Sequence, residues 1–356
     1  MMTHAVFIPD GVSTWVATFR RVRIYGWVAD RQGCGWYRVA LPLYGLREWG
    51  GHEVGASERM LKDPSTMDVI IGQRVCLPGP STVWQDLCRR GDVATVYEVD
   101  DDLLNVDPSS EAAYAFYARA DIRANIAANA ACADMVTVST PVLAEVMSAY
   151  NSNVVVLPNA LDGGLFDHAR PRRGRLTVGW AGSATHRMDL AEAAPGVRQF
   201  LRRHPAVDMH FIGEDYSRLI AGTDTVLAGR IRHTGWRLDI AAYYATLDFD
   251  IGIAPLRPHV FNRSKTAVKI LEYSALGIPW VASDVGPYHD HGPHGGVLVR
   301  YPHEWPRVLG DLAADESMRV ELGAQAKEYA HRWAISERWR AWETAYTTLV
   351  SGRVAA

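Results

Sequence analysis

The chain has 356 residues, 48% of them hydrophobic and 22% charged, about twice the length of a typical domain and of ordinary globular make-up. That composition excludes a disordered, collagenous or coiled-coil chain. With 37 Lys plus Arg against 40 Asp plus Glu, the formal net charge is -3, so no global positive field recruits nucleic acid or an anionic membrane.

Residues 1–23 interrupt their apolar positions with Pro9, Asp10 and Gly11, a pattern unlike a secretory leader. No apolar run approaches the length of a membrane span. The four cysteines, Cys34, Cys76, Cys88 and Cys132, are widely spaced, which points to neither a disulfide framework nor a zinc knuckle. A cytoplasmic protein is expected.

From residue 22 onward, short β-rich apolar runs alternate with helical segments, the rhythm of parallel sheets with crossover helices. In the first half the runs fall at residues 22–27, 52–56, 68–73, 94–99, 135–139 and 154–157. The first run leads into Gly33, Cys34 and Gly35, where glycine lets backbone approach a ligand closely. The full dinucleotide fingerprint and its acidic partner on the second strand are missing. The fourth run ends at Asp100, Asp101 and Asp102, on the strand edge where α/β sites form. Three adjacent carboxylates repel one another and need solvent, a cation or hydrogen-bond donors around them. Residues 112–133 are alanine-rich and predict one long helix.

The basic stretch from Arg170 to Arg175 contains Pro171 and Gly174 and reads as an interdomain linker. The rhythm restarts with runs at 176–180, 207–212, 230–234, 250–254, 280–283 and 297–300. A dozen strands would make an unusually large single sheet. Two domains are therefore expected, at residues 1–168 and 169–332. Residues 333–356 form a C-terminal helix in which Trp339, Trp342, Ala345, Tyr346 and Leu349 recur at three- and four-residue steps along one apolar face.

Two segments of the second half carry chemistry. Ser264 is a good N-cap, Gly277 a good C′ residue and Pro279 a stop, so a helix is predicted over residues 265–276. Lys265, Lys269 and Glu272 then share one side of it. Ser264, Lys265 and Thr266 sit at the end whose free N–H groups and dipole attract an anion. Such an arrangement can neutralise a departing diphosphate and accept from ribose hydroxyls, although taken alone it could be a surface Lys–Glu pair. The other segment is the strand end at Gly182 and Ser183, followed by Thr185, His186 and Arg187 at a helix start. It offers donors for phosphate, or simply caps for the helix.

The string from Asp250 to Leu256, the string from Lys269 to Pro279 and the run from Val281 to Asp284 resemble the donor-binding domain of GT-B glycosyltransferases of the family-4 type. The resemblance implies two Rossmann-like domains with parallel sheets facing across a cleft, and a C-terminal helix returning to the first. It implies that Glu272 binds ribose and that Lys269 lies at the diphosphate. Gly182, Ser183, Thr185, His186 and Arg187 would then cover the diphosphate, with Gly235 and Trp236 near the base. Ser264 stands where many members carry a second Glu that touches the donor sugar. Gly33 and Gly35 would face the cleft.

The reaction implied moves a sugar from a nucleotide-diphosphate sugar to an acceptor hydroxyl, usually with retention. No metal or cofactor is expected, and Lys269, Asp101 and Asp102 are the catalytic candidates. The acidic run could instead bridge Mg²⁺ or Mn²⁺ to diphosphate as in GT-A enzymes, or be a solvated turn before Pro108. Alternatives for the whole are a same-fold epimerase or hydrolase, and a noncatalytic nucleotide-sugar-binding subunit. The acceptor is open: glycan, protein, lipid or small molecule. His289, His291 and His294 lie in a Pro- and Gly-broken loop, and a metal is not expected there.

Overall fold

A computed structural model describes residues 21–169, 174–292 and 294–355. Residues 1–20 of the N-terminal segment and residues 170–173 of the expected linker lie outside the described residues.

All twelve expected runs are strands, within two residues of the predicted ends. They are β1 (Arg23–Trp27), β2 (Glu53–Ser57), β3 (Val69–Gln73), β4 (Ala94–Val99), β5 (Met135–Val138) and β6 (Val154–Val156) in the first half. In the second they are β7 (Thr177–Gly182), β8 (Asp208–Gly213), β9 (Ile231–Thr234), β10 (Ile251–Ala254), β11 (Trp280–Ser283) and β12 (Gly296–Val299). They form two six-stranded sheets, ordered β2-β1-β3-β4-β5-β6 and β12-β11-β10-β7-β8-β9, in which every pairing is parallel. Helices cover both faces of a parallel sheet, which is why β3 and β4 are buried at every position.

The strand order reverses between β1 and β3 in the first sheet and between β7 and β10 in the second. Beyond the carboxyl ends of such a pair the crossover helices diverge and leave a crevice, the usual ligand site of an open α/β sheet. The loops after β1 and β7, singled out for their glycines and hydroxyls, therefore flank the two crevices.

The C-terminal helix Ile335–Ala355 buries Ile335, Trp339, Trp342, Ala345 and Tyr346 in the core of the first sheet. It crosses the helix Leu41–Glu48 closely: a Cβ on Gly45 would meet Ile335 Cγ1 at 2.9 Å and Trp339 Cβ at 3.0 Å. Leu161 ties the crossing segment down, donating to Trp333 O at 2.7 Å and accepting from Ile335 N at 2.8 Å.

Two helix expectations need correction. Residues 112–133 are not one helix but two, Glu111–Tyr117 and Ala120–Cys132. Arg119 adopts an extended conformation between them, which interrupts the alanine-rich run, and pairs through two nitrogens with Asp121. Likewise the helix expected from residue 265 begins at Val268. A short helix, Val260–Arg263, precedes it, and Ser264 is the C-cap of that turn instead of the N-cap of the next. Its fully buried hydroxyl donates to Phe261 O at 2.9 Å, and Ala267 takes the N-cap position of the next helix. The C-terminal end is as expected: Gly277 takes φ 65° and closes the helix onto Ser274 O.

Candidate active site

Lys269 lies in the first turn of the helix Val268–Ala275 and points back across the sheet toward the end of β7. Its Nζ sits 4.5 Å over the Trp180 ring, and a Cβ added to Gly182 would meet it at 3.1 Å. Among the described residues this buried ammonium has no hydrogen-bond partner. Burial pulls its pKa down to about 7, and neighbouring Lys265 adds to the effect, while Asp189 and Glu272 oppose it. A buried, unpaired cation costs folding free energy. Its position beside the β7 loop is where an anion would remove that cost.

Three residues on, Glu272 is also buried, and burial raises its carboxyl to about 7. One oxygen accepts from the Tyr37 hydroxyl of the first domain and the other from Tyr243 at 2.7 Å. Tyr37 and Tyr244 hydroxyls stand 3.4 Å apart. A carboxylate with one hydroxyl on each oxygen is the pattern by which proteins hold a diol.

The loop after β7 closes the other side. Ser183 and Thr185 hydroxyls are 2.9 Å apart. His186 pairs through Nδ1 with Asp189 Oδ2 at 2.9 Å, and Asp189 Oδ1 in turn accepts from Asn262 Nδ2 and Arg257 N. Burial, aided by Lys269, lowers the His186 pKa to about 4, so the ring is neutral and donates from Nδ1. Asp189 thereby binds the β7 loop to the segment after β10, across the strand-order reversal. Arg187 points to solvent.

At the neighbouring strand ends, Gly213 has φ 89°, and a Cβ there would strike Gly182 O at 2.4 Å and the Trp236 ring at 3.3 Å. Trp236 is half exposed and presents a ring beside these two strand ends, while Gly235 has open space around it.

The first domain presents its own face. Gly35 is required by close approach, since a Cβ would lie 1.8 Å from Asp30 O, whereas Gly33 has free space. Arg74, with φ 51° directly after β3, bridges Asp100 and Asp101. The acidic run is thus answered by a guanidinium, and Asp101 also faces Lys265 Nζ of the second domain at 3.7 Å. Asp102 accepts from Asn105 Nδ2 at 2.8 Å, while its other oxygen is buried without a partner among the described residues. Burial raises the Asp102 carboxyl pKa. More polar bonds cross the cleft: Thr140 donates to Ser264 O at 2.9 Å, Asn159 to Thr266 Oγ1 at 3.2 Å, and Arg257 to Asp107.

Residues 175–315 match the family described as Glycosyl transferases group 1. The matched stretch holds the whole second sheet, β7 to β12. No curated protein sequence matches the chain at a significant level. Solved structures similar over the whole length include HepE from Anabaena in complex with UDP-glucose, at 13% identity and TM-score 0.62, covering 94% of this chain and 100% of that one. A sucrose-phosphate synthase from Thermosynechococcus elongatus shares 14% identity at TM-score 0.67, covering 94% and 100%. A glycosyltransferase from Rickettsia africae shares 12% at TM-score 0.62, covering 93% and 99%. At such identities the likeness establishes the fold, which is GT-B.

In this GT-B frame, Gly182, Ser183, Thr185, His186, Lys269 and Glu272 converge on the crevice between β7 and β10. Lys265, Thr266 and Asp101 lie at the seam between domains. Ser264 is the exception: its hydroxyl is consumed inside its own turn, and only its carbonyl reaches the first domain. The sequence reading did not single out Tyr37, Arg74, Asp189, Tyr243 or Arg257. Asp189 and Tyr37 lie within glycine-bearing segments already suspected, Asp189 one turn past Thr185 and Tyr37 two residues past Gly35. Arg74 carries no sequence signal, because a non-glycine left-handed residue at a strand end is set by its ion pairs. His289 pairs with Asp284, His291 with Tyr329, and His294 stacks on Tyr329.

Proposed function

We propose that this protein transfers a glycosyl group from a nucleoside-diphosphate sugar to an acceptor hydroxyl, with retention and without a metal ion. The group 1 family match and the GT-B fold support nucleotide-sugar glycosyl transfer as the class of activity. The observation that carries the reading on this chain is the buried, unpartnered Lys269 ammonium facing Gly182. Lys269 would hold the diphosphate and stabilise the charge that grows on it as the glycosidic bond breaks. Glu272 would take the ribose diol, and Trp236 would stack near the base. Lys265 and the hydroxyls of Ser183 and Thr185 add donors. In a retaining transfer the leaving diphosphate can itself accept the acceptor's proton, so no protein nucleophile is needed. Among the described residues no helix is long and apolar enough to cross a membrane, and we propose a cytoplasmic location. The reading is tested by incubating the protein with UDP-, GDP- and ADP-glucose and following release of nucleoside diphosphate.

Capture should depend on pH in both directions. Lys269 must carry its proton and Glu272 must lack one, and burial brings both groups to about 7. Raising pH through 7 discharges the lysine; lowering it through 7 protonates the carboxylate. Calorimetric affinity for the nucleoside diphosphate is therefore expected to peak near neutrality. In Glu272→Gln only the alkaline fall should remain, and a flat profile in the wild type would contradict the assignment.

The acidic run gives a second test. Arg74 and Lys265 already answer Asp100 and Asp101, and the diphosphate charge is met from the second domain. Turnover is expected to survive EDTA, and Asp101→Asn to reduce transfer while leaving nucleotide affinity within about twofold, because the group lies on the first-domain side. Loss of activity on chelation with recovery on Mg²⁺ or Mn²⁺ would make the run a metal site instead.

A further inference from the structure

Each oxygen of the buried Glu272 carboxylate accepts one tyrosine hydroxyl. Tyr37 from the first domain donates to Oε1, Tyr243 from the second to Oε2, and all three side chains are buried or nearly so. Two hydroxyls, one on each oxygen, reproduce what a vicinal diol offers. Tyr243 is carried by the same domain as Glu272 and moves with it. Tyr37 sits 235 positions away in the sequence and reaches across the cleft, in the helical segment that begins at the glycine loop after β1.

Resting on the reading of Glu272 as the ribose site, we infer that Tyr37 is an internal competitor of the nucleotide: binding exchanges its hydroxyl for a ribose hydroxyl and breaks this contact between the domains. Each oxygen keeps a second lone pair, but with Glu272 only 4% exposed a ribose hydroxyl gains access to it by taking a tyrosine's place. The displaced hydroxyl is not orphaned, because Tyr244 OH lies 3.4 Å away as an alternative partner. The contact therefore lowers affinity for a ligand that brings a ribose diol.

The test is calorimetry of UDP, GDP and ADP and of their 2′,3′-dideoxy counterparts, on the wild type and on Tyr37→Phe, which keeps the ring and removes the hydroxyl. For the nucleotide that the wild type binds, the variant is expected to bind the ribonucleotide roughly tenfold more tightly, the worth of one charge-assisted hydrogen bond. The dideoxy form should be unaffected, so the preference for ribose widens. Equal tightening of both forms would reduce Tyr37 to a packing contact. An unchanged or weaker ribonucleotide would overturn the exchange, with the ribose reading intact if the wild type still prefers ribose. No preference for ribose in either protein would remove that reading and the exchange with it. If the variant fails to fold, amide hydrogen exchange on the wild type decides: protection of residues 36–40 should fall on adding UDP, GDP or ADP, whichever binds, and undiminished protection would refute the exchange.

Discussion

Lys269→Ala is expected to lower turnover of the nucleotide sugar by about 10²-fold or more, the usual cost of removing one donor aimed at a developing anion. The lysine Nζ lies over the Trp180 ring beside Gly182 and makes no hydrogen bond among the described residues. A group kept in such a place for structure would be expected to have a carboxylate against it. The substitution should therefore not unfold the protein. Alanine is the best helix former, and deleting a buried, unpaired cation removes a desolvation cost, so the melting temperature should hold or rise. A fall in kcat with preserved stability identifies a functional ammonium. Near-wild-type turnover, or a large loss of stability alone, would return Lys269 to the core.

Glu272→Gln is expected to weaken the bare nucleoside diphosphate about tenfold or more, because ribose then meets a neutral amide in place of a carboxylate. The effect should appear in Kd and KM far more than in kcat, since the diol keeps its bonding as the sugar departs. Glutamine is the informative replacement. It retains an acceptor for one tyrosine and a similar volume, whereas alanine would remove the acceptor of both Tyr37 and Tyr243 at once. Calorimetry with the diphosphate alone separates this role from any contact to the donor sugar. Undiminished affinity would make the carboxylate an interdomain hydrogen-bond anchor and nothing more.

Much of the architecture was legible in the sequence, because each strand is a short apolar run bounded by turn residues and each sheet is buried on both faces. The failures share one physical cause. Arg119 takes extended dihedrals between two helices and Ser264 closes the short helix before Lys265, each interrupting a helix that propensity alone would continue. In the site, Lys269 and Glu272 were visible as a helical i,i+3 pair, but the pair faces inward instead of toward solvent. What sequence spacing could not supply is the partner across the cleft. Tyr37 and Arg74 acquire meaning only when the first sheet is placed against the second, and no periodicity records that approach.

The central claim is that the crevice between β7 and β10 is built for a nucleoside-diphosphate sugar, with Lys269 on the diphosphate. A thermal-shift panel of UDP-, GDP-, ADP- and CMP-linked sugars, run on the wild type and on Lys269→Ala, tests it most directly. Ligand that binds only the folded state stabilises it by RT ln(1 + c/Kd), with c the free ligand concentration, and so raises the melting temperature. The account predicts that at least one diphosphate-linked sugar stabilises the wild type, that the monophosphate CMP-sugar does not, and that the stabilisation is largely lost in Lys269→Ala. Stabilisation by none of them, or an undiminished shift in the variant, would contradict it.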